Sequence, residues 1–291
     1  MAGEPLRTSG VHGRLEFAAR RFHAWWEGYA FDAALEGADI AERLGEEKSP
    51  EGFEFAIAEL LWGAGRTEPG DPAWTMRHAR TLGLPTKARV IVFGAGGGAP
   101  LRDLKAATRW KVSGLSRVAA PMRGFDLRTY DAALARPIKS GADGAISFFE
   151  LHRDADPAAF ARFAGDLLRP SAATSFVDYT LARKGTRLKG CFPETAPGAP
   201  RVPADTIRIL KEAGFAVSDT VDETRLFMPL IVKGWAHWKR AYEAANAAGP
   251  ARLRGEMLRF LSGAAHLWAE RFDALKAGHL QVTRFQARKA V

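Results

Sequence analysis

The 291-residue chain has little cysteine: one residue, Cys191, which cannot close an internal disulfide and offers no cluster for zinc. No apolar run approaches the ~20 residues that a membrane-spanning helix needs. The opening stretch MAGEPLRTSGVHGRLEF holds no apolar core of the secretory type. These absences give the expectation of a soluble, cytoplasmic protein. A nucleophile elbow, a P-loop and a paired-carboxylate motif are also missing. His23, His237 and His266 stand at no metal-ligand spacing, so no metal site is expected. There is no basic run of five or more, although the net charge is +9. That charge favours anionic partners, but its spread along the chain argues against nucleic acid.

What is present is ordinary globular composition, 47% hydrophobic and 26% charged, which excludes disorder. Residues 14–30 carry Leu15, Phe22, Trp25, Trp26 and Tyr29 at helical spacing. Ser49-Pro50 and Asp71-Pro72 are helix starts, and Gly63 and Gly83 are stops. The first 85 residues thus read as a helical cap without a strand.

From residue 88 the character changes. Ala88–Phe93 is a continuous β-branched run, expected for a strand buried on both faces. Gly94-Ala95-Gly96-Gly97-Gly98 follows, then a helix over Ala99–Ala107. Further strands are expected at 110–115, 144–149, 174–181 and 215–221, with helices at 157–168 and 205–213. Such alternation predicts a parallel, doubly wound α/β sheet. Residues 224–277 turn helical again, broken at Gly249-Pro250, and Leu280–Ala287 reads as a last strand.

A strand, a glycine loop and a helix N-terminus together let a ligand approach unpaired backbone amides. Gly94-x-Gly96-x-x-Ala99 fits a dinucleotide fingerprint, and Arg117 near the end of the second strand keeps an NADP reading open. A tight turn with no ligand is the third option.

The order of pieces favours another reading. Val90-Ile91-Val92-Phe93-Gly94-Ala95-Gly96-Gly97-Gly98 resembles the first motif of the class I S-adenosylmethionine-dependent methyltransferases. Val112–Ser116, Ala142–Ser147, Leu167-Leu168-Arg169-Pro170 and Leu210–Phe215 resemble the second strand, the fourth strand, the turn before the fifth and the entry to the sixth. The flanks, with Glu59–Gly63 and Gly234-Trp235, look like those of bacterial methyltransferase-domain proteins. The resemblance implies a Rossmann-like core over 86–223, a helical insertion over 224–278 and a closing strand over 279–291. It also implies S-adenosylmethionine as cofactor, held by Gly94, Ala95, Gly96, Gly98, Ser116 and Asp131.

This chain departs from the family at specific places. Val92 stands where the first strand carries an acid, and Ser116 where the second strand ends in the carboxylate that binds the ribose. A serine cannot supply a bidentate charged acceptor; losing such a contact costs about 1.5–3 kcal/mol. Asp143 stands only 27 positions after Ser116, and Pro121 interrupts the segment between them. The helix after the second strand is therefore expected to shrink to a turn, leaving Asp126, Tyr130 and Asp131 as the polar groups there.

For the acceptor, Glu150 and His152 follow the fourth strand, and Asp178 and Tyr179 lie in or just past the fifth, at the edge where α/β ligands sit. A general base helps an acceptor that must lose a proton, and His152 suits that role. Against it stand a surface Glu150, a helix-capping His152 and an outward-facing Asp178. Trp25, Trp26, Tyr29, Trp62, Trp235 and Trp238 could roof an acceptor pocket, but their helical spacing leads most of them to be expected in the core between the helices and the sheet. Two functions remain open. One is methyl transfer to a small acceptor. The other is a pseudoenzyme that has lost the cofactor and works as a binding module for a protein partner. The apolar flanking helices would suit a homodimer.

Overall fold

A computed structural model describes residues 50–117, 124–130, 139–193, 196–247 and 251–291. The expected helix at 14–30, with Trp25, Trp26, Tyr29 and His23, lies outside them, as do Pro121 and Asp131. Two compact units are present: residues 50–61 with 236–264, and residues 62–235 with 265–291.

The larger unit is built on a sheet. Its strands are β1 (Arg89–Phe93), β2 (Lys111–Ser116), β3 (Asp126–Thr129), β4 (Ala142–Phe148), β5 (Leu168–Leu181), β6 (Phe215–Asp222) and β7 (Leu280–Lys289), in the order β3-β2-β1-β4-β5-β7-β6. The run Val90–Phe93 is at most 2% exposed, as a strand covered on both faces requires. Val92 is fully buried and points no polar group anywhere.

The sheet is mixed, which corrects the all-parallel expectation. β1 to β5 run parallel, but β7 is antiparallel to both β5 and β6. The chain leaves β6 at Asp222, opposite Thr283, and re-enters there after its helical segment. Returning to the edge it left, it can only run back the other way. β5 also begins earlier than 174: Leu168 pairs with Ala142, and a register shift absorbs Arg169–Ala172, with Ser171 at φ 62°.

Helices alternate with the strands along the chain. α1 (Pro50–Trp62) and α2 (Pro72–Thr81) come first, and Asp71 caps α2 by accepting from the Trp74 amide at 2.9 Å. α3 (Ala99–Ala107) follows β1, α4 (Pro157–Asp166) follows β4, and α5 (Pro203–Glu212) precedes β6. α6 (Thr224–Trp235), α7 (Trp238–Ala247) and α8 (Ala251–Lys276) fill the expected helical segment. α2, placed with the cap by sequence, belongs to the sheet unit: its Thr75 hydroxyl donates to Asp103 of α3 at 2.9 Å.

One core cluster joins Ile91, Phe93, Leu115, Phe160, Phe176, Leu210, Phe215 and Phe285 under α4 and α5. Each such side chain contributes about 1.5–3 kcal/mol by leaving water. Trp62 is core as expected, edge-on to Trp268 at 4.9 Å and to Trp235 at 6.2 Å. Trp238 is not; it is 45% exposed and lies against Tyr242. In the smaller unit Phe53 stacks on Phe260 at 5.5 Å, and His237 donates to the Leu61 carbonyl at 3.2 Å. β7, an interior strand, is buried on both faces, so Arg284 needs partners there: Glu223 at 2.9 Å and Asp219 at 3.4 Å.

Candidate functional site at the carboxyl edge of the sheet

The glycine loop turns through left-handed backbone at Gly94 (φ 68°), Gly96 (φ 56°) and Gly98 (φ 115°). A Cβ at Gly94 would lie 2.1 Å from the Phe148 carbonyl oxygen, and one at Gly96 would lie 2.8 Å from that of Gly65. The chain itself therefore demands glycine at both positions. The Gly65 carbonyl accepts from the amides of Gly97 (3.0 Å) and Ala99 (3.2 Å), so the segment between α1 and α2 lies across the start of α3. Ala95 donates to Leu115 at 3.0 Å, tying the loop to β2.

Between that segment, the loop and the end of β4 opens a cleft of about 330 Å³, lined among others by Arg66, Thr67, Glu68, Trp74, Ala95 and Phe149. The Trp74 indole N–H is buried there without a partner among the described residues. Arg66 is buried and ion-paired with Asp103.

On the other side of the loop, Ser116 ends β2 at 1% exposure. Next to it, Arg117 donates to Glu150 at 2.7 Å and to Asp154 at 3.2 Å, and lies over the Tyr130 ring. Glu150 is not a surface residue. It is 2% exposed, and its Oε1 would touch a Cβ on Gly94 at 3.1 Å. Burial pushes its carboxyl up, opposed by the Arg117 and Arg153 charges. Burial also raises the Tyr130 phenol well above its usual range, with the Glu150 charge adding to the effect. A carboxylate thus stands beside the first glycine, supplied by β4 instead of β2.

The remaining three candidates are brought together. His152 lies in a single 3-10 turn, Leu151–Arg153, and Asp178 lies in β5. His152 Nδ1 is 2.5 Å from Asp178 Oδ1. The carboxylate also accepts from the backbone amides of His152 (3.1 Å) and Tyr179 (2.7 Å). Asp178 is 1% exposed and faces inward, not out. Burial lowers the His152 pKa, against the pull of Asp178, so the ring is neutral near pH 7. Its Nδ1–H is given to Asp178, which leaves the Nε2 lone pair free. The two residues line a small recess with Tyr179, Thr206 and Arg201.

Tyr179 stacks on Phe149 at 4.7 Å, and its hydroxyl donates to Glu68 at 3.3 Å. Glu68 also pairs with Arg153 and, at 3.7 Å, with Arg271, whose guanidinium sits over Tyr179, Phe192 and Trp268. Sequence reasoning missed Glu68, Arg153 and Arg271 as parts of this edge, and read Arg117 only as a phosphate partner for NADP. The Arg66-Thr67-Glu68-Pro69 run between two helix signals was the one available hint for Glu68. Arg271 comes from α8 and had none. Among the described residues no group of three or more metal-ligating side chains occurs, and no helix is long and apolar enough to cross a membrane.

No family model and no curated protein matches the chain. Solved structures do match. The [4+2]-cyclase SpnF aligns over 83% of this chain and 95% of its own, at 17% identity and TM-score 0.62. Mycolic acid cyclopropane synthase CmaA1, complexed with S-adenosylhomocysteine, aligns over 84% and 100%, at 16% and 0.62. Haemonchus contortus phosphoethanolamine N-methyltransferase 2, in complex with S-adenosylmethionine, aligns over 83% and 57%, at 14% and 0.63. At such identities the likeness establishes the fold. The chain has the Rossmann-like α/β fold of the class I methyltransferases.

Proposed function

We propose that the protein is an S-adenosylmethionine-dependent methyltransferase that acts on a small acceptor, with His152 as its general base. One observation carries this reading: a carboxylate-oriented imidazole, buried at the carboxyl edge of the sheet. Such a pairing fixes the tautomer and presents Nε2 for proton transfer.

Two features suit the cofactor: the Trp74 N–H awaits an acceptor in the cleft beside the loop, and Glu150 offers a carboxylate beside Gly94. Gly94, Ala95, Gly96 and Gly98 would hold it with Trp74, and Glu150 would take over the role that Ser116 cannot fill. When bound, S-adenosylmethionine supplies an electrophilic methyl group on a sulfonium. The residues of this chain do the rest. Asp178 keeps Nδ1 protonated, Nε2 takes the proton of the acceptor, and the Phe149–Tyr179 pair walls the site from solvent.

The alternative, a cofactor-free binding module, draws on one observation. The Gly65 carbonyl already occupies the Gly97 and Ala99 amides, and Arg117 is committed to Glu150. That commitment also weakens the NADP reading, since Arg117 was its phosphate partner. Calorimetric titration with S-adenosylmethionine and S-adenosylhomocysteine, with NADP as control, separates the three. Micromolar binding of the first two is expected. Silence up to millimolar ligand from folded protein leaves the binding module.

A further inference from the structure

We propose that residues 63–71, which join α1 to α2, form a strap latched by Glu68, and that the strap must lift before a ligand reaches the glycine-loop amides. Naming S-adenosylmethionine as that ligand rests on the methyl-transfer reading; the strap itself does not.

The blocking contact is made by backbone. The first amides of a helix have no partner within it, and they are what a ligand at a glycine loop uses. Here those of Gly97 and Ala99 both donate to the Gly65 carbonyl, at 3.0 and 3.2 Å. A Cβ on Gly96 would lie 3.2 Å from both the amide and the hydroxyl of Thr67. Loop and strap therefore leave no room between them at Gly96, even for a methyl group.

A second observation points to a ligand under the strap. Trp74 is 6% exposed and lines the cleft beside the loop with Arg66, Thr67 and Glu68. Its indole N–H has no partner among the described residues. A donor buried without an acceptor is a cost, and an acceptor atom brought in by a ligand would remove it.

Side chains hold the strap down on two sides. Arg66 is buried against Asp103 of α3, whose carboxylate also accepts from the Thr75 hydroxyl at 2.9 Å. Glu68 pairs with Arg153 and, at 3.7 Å, with Arg271, and it accepts from the Tyr179 hydroxyl at 3.3 Å. Its side chain is 13% exposed, so water competes little for these bonds. Arg153 follows His152 in its turn, and Tyr179 follows Asp178 in β5. The latch thus grips the neighbours of both members of the dyad, and lifting it frees the loop and that edge together. Gly63 (φ 97°) supplies the hinge, with no atom within 4 Å of where a Cβ would stand.

Binding to a state that is only partly populated is weakened by the fraction of that state, so loosening the latch should tighten binding. Glu68→Gln keeps the size of the side chain and removes its charge. Without ligand, the Gly97 and Ala99 amides of the full-length variant should exchange hydrogen ten-fold or more faster than in the parent. Those of Val90–Phe93 should keep their rates, which sets strap opening apart from general unfolding. Calorimetry should show S-adenosylhomocysteine binding tightened by a similar factor. Tyr179→Phe removes one bond of the latch and should move both readouts the same way by less, which covers a Glu68→Gln that folds poorly. Exchange unmoved in both variants overturns the proposal, as does weaker S-adenosylhomocysteine binding to a folded Glu68→Gln. Faster exchange with no binding by any of the proteins up to millimolar ligand sustains the strap and refutes the transferase. Binding with exchange unmoved refutes the strap alone.

Discussion

Asp178 Oδ1 and His152 Nδ1 lie 2.5 Å apart, with both side chains at most 4% exposed, Asp178 within β5 and His152 in the turn that follows the neighbouring parallel strand β4. The carboxylate decides which ring nitrogen keeps its proton. Asp178→Asn removes the charge that opposes desolvation, so the His152 pKa should fall further below 6.5. Nitrogen-shift titration of the ring reads this directly. Methyl transfer to a cognate acceptor should drop about 10²–10⁴-fold, the range for a mispositioned general base, with cofactor affinity unchanged. A His152 pKa unmoved by Asp178→Asn would sink the dyad.

Gly96 has a structural duty before any ligand arrives. In Gly96→Ala the Cβ enters left-handed backbone 2.8 Å from the Gly65 oxygen, and the two amide bonds to that oxygen must lengthen. A cost of about 1–3 kcal/mol is expected, measured by urea unfolding. A charged residue at this position would disturb the loop first, so a loss of cofactor binding there must be read against stability.

Arg117→Met leaves Glu150 buried beside Gly94 without its cation. Its pKa, already raised by burial, should climb further. A carboxyl whose folded pKa exceeds the unfolded value stabilises fully below the unfolded pKa, and that stability is lost as pH rises through the folded pKa. The variant should therefore be nearest to the parent in mild acid and fall behind toward neutral pH. Denaturation midpoints at several pH values test the sign.

His78 gives the opposite slope. It is fully buried between Trp74 and Phe148, and burial, with Arg284 and Arg77 adding to it, lowers its pKa to about 3. Glu223 lies 3.7 Å away, but its carboxylate is already shared by Arg284 and Arg77, so it does not hold a proton on the ring. The unfolded chain binds a proton below 6.5 that the folded chain refuses. Stability from this site is present above pH 6.5 and lost as pH falls toward 3. His78→Phe should flatten that part of the stability curve by a few kcal/mol in the acid limit.

Much of the architecture was legible in local pattern. The β-branched run before Gly94, the Asp71-Pro72 start and the Gly214 stop each act within a few residues, and each element formed close to its expected bounds. The direction of β7 was not legible, because the alternation of Leu280–Ala287 is the same whichever way the strand runs. Trp238 misled for a similar reason. Helical spacing with Tyr242 shows that two aromatics share a face, but says nothing of what that face meets.

The sequence alone determined the order of strands and helices, the glycine loop and the missing acids at Val92 and Ser116, because these depend on neighbours along the chain. Only the tertiary structure decided that Glu150 stands beside Gly94 with Arg117, that Asp178 orients His152, and that the Gly65 carbonyl takes the Gly97 amide. Those relationships join residues 26 to 33 positions apart. Charges buried at a sheet edge choose partners by proximity and desolvation, and neither is written in spacing.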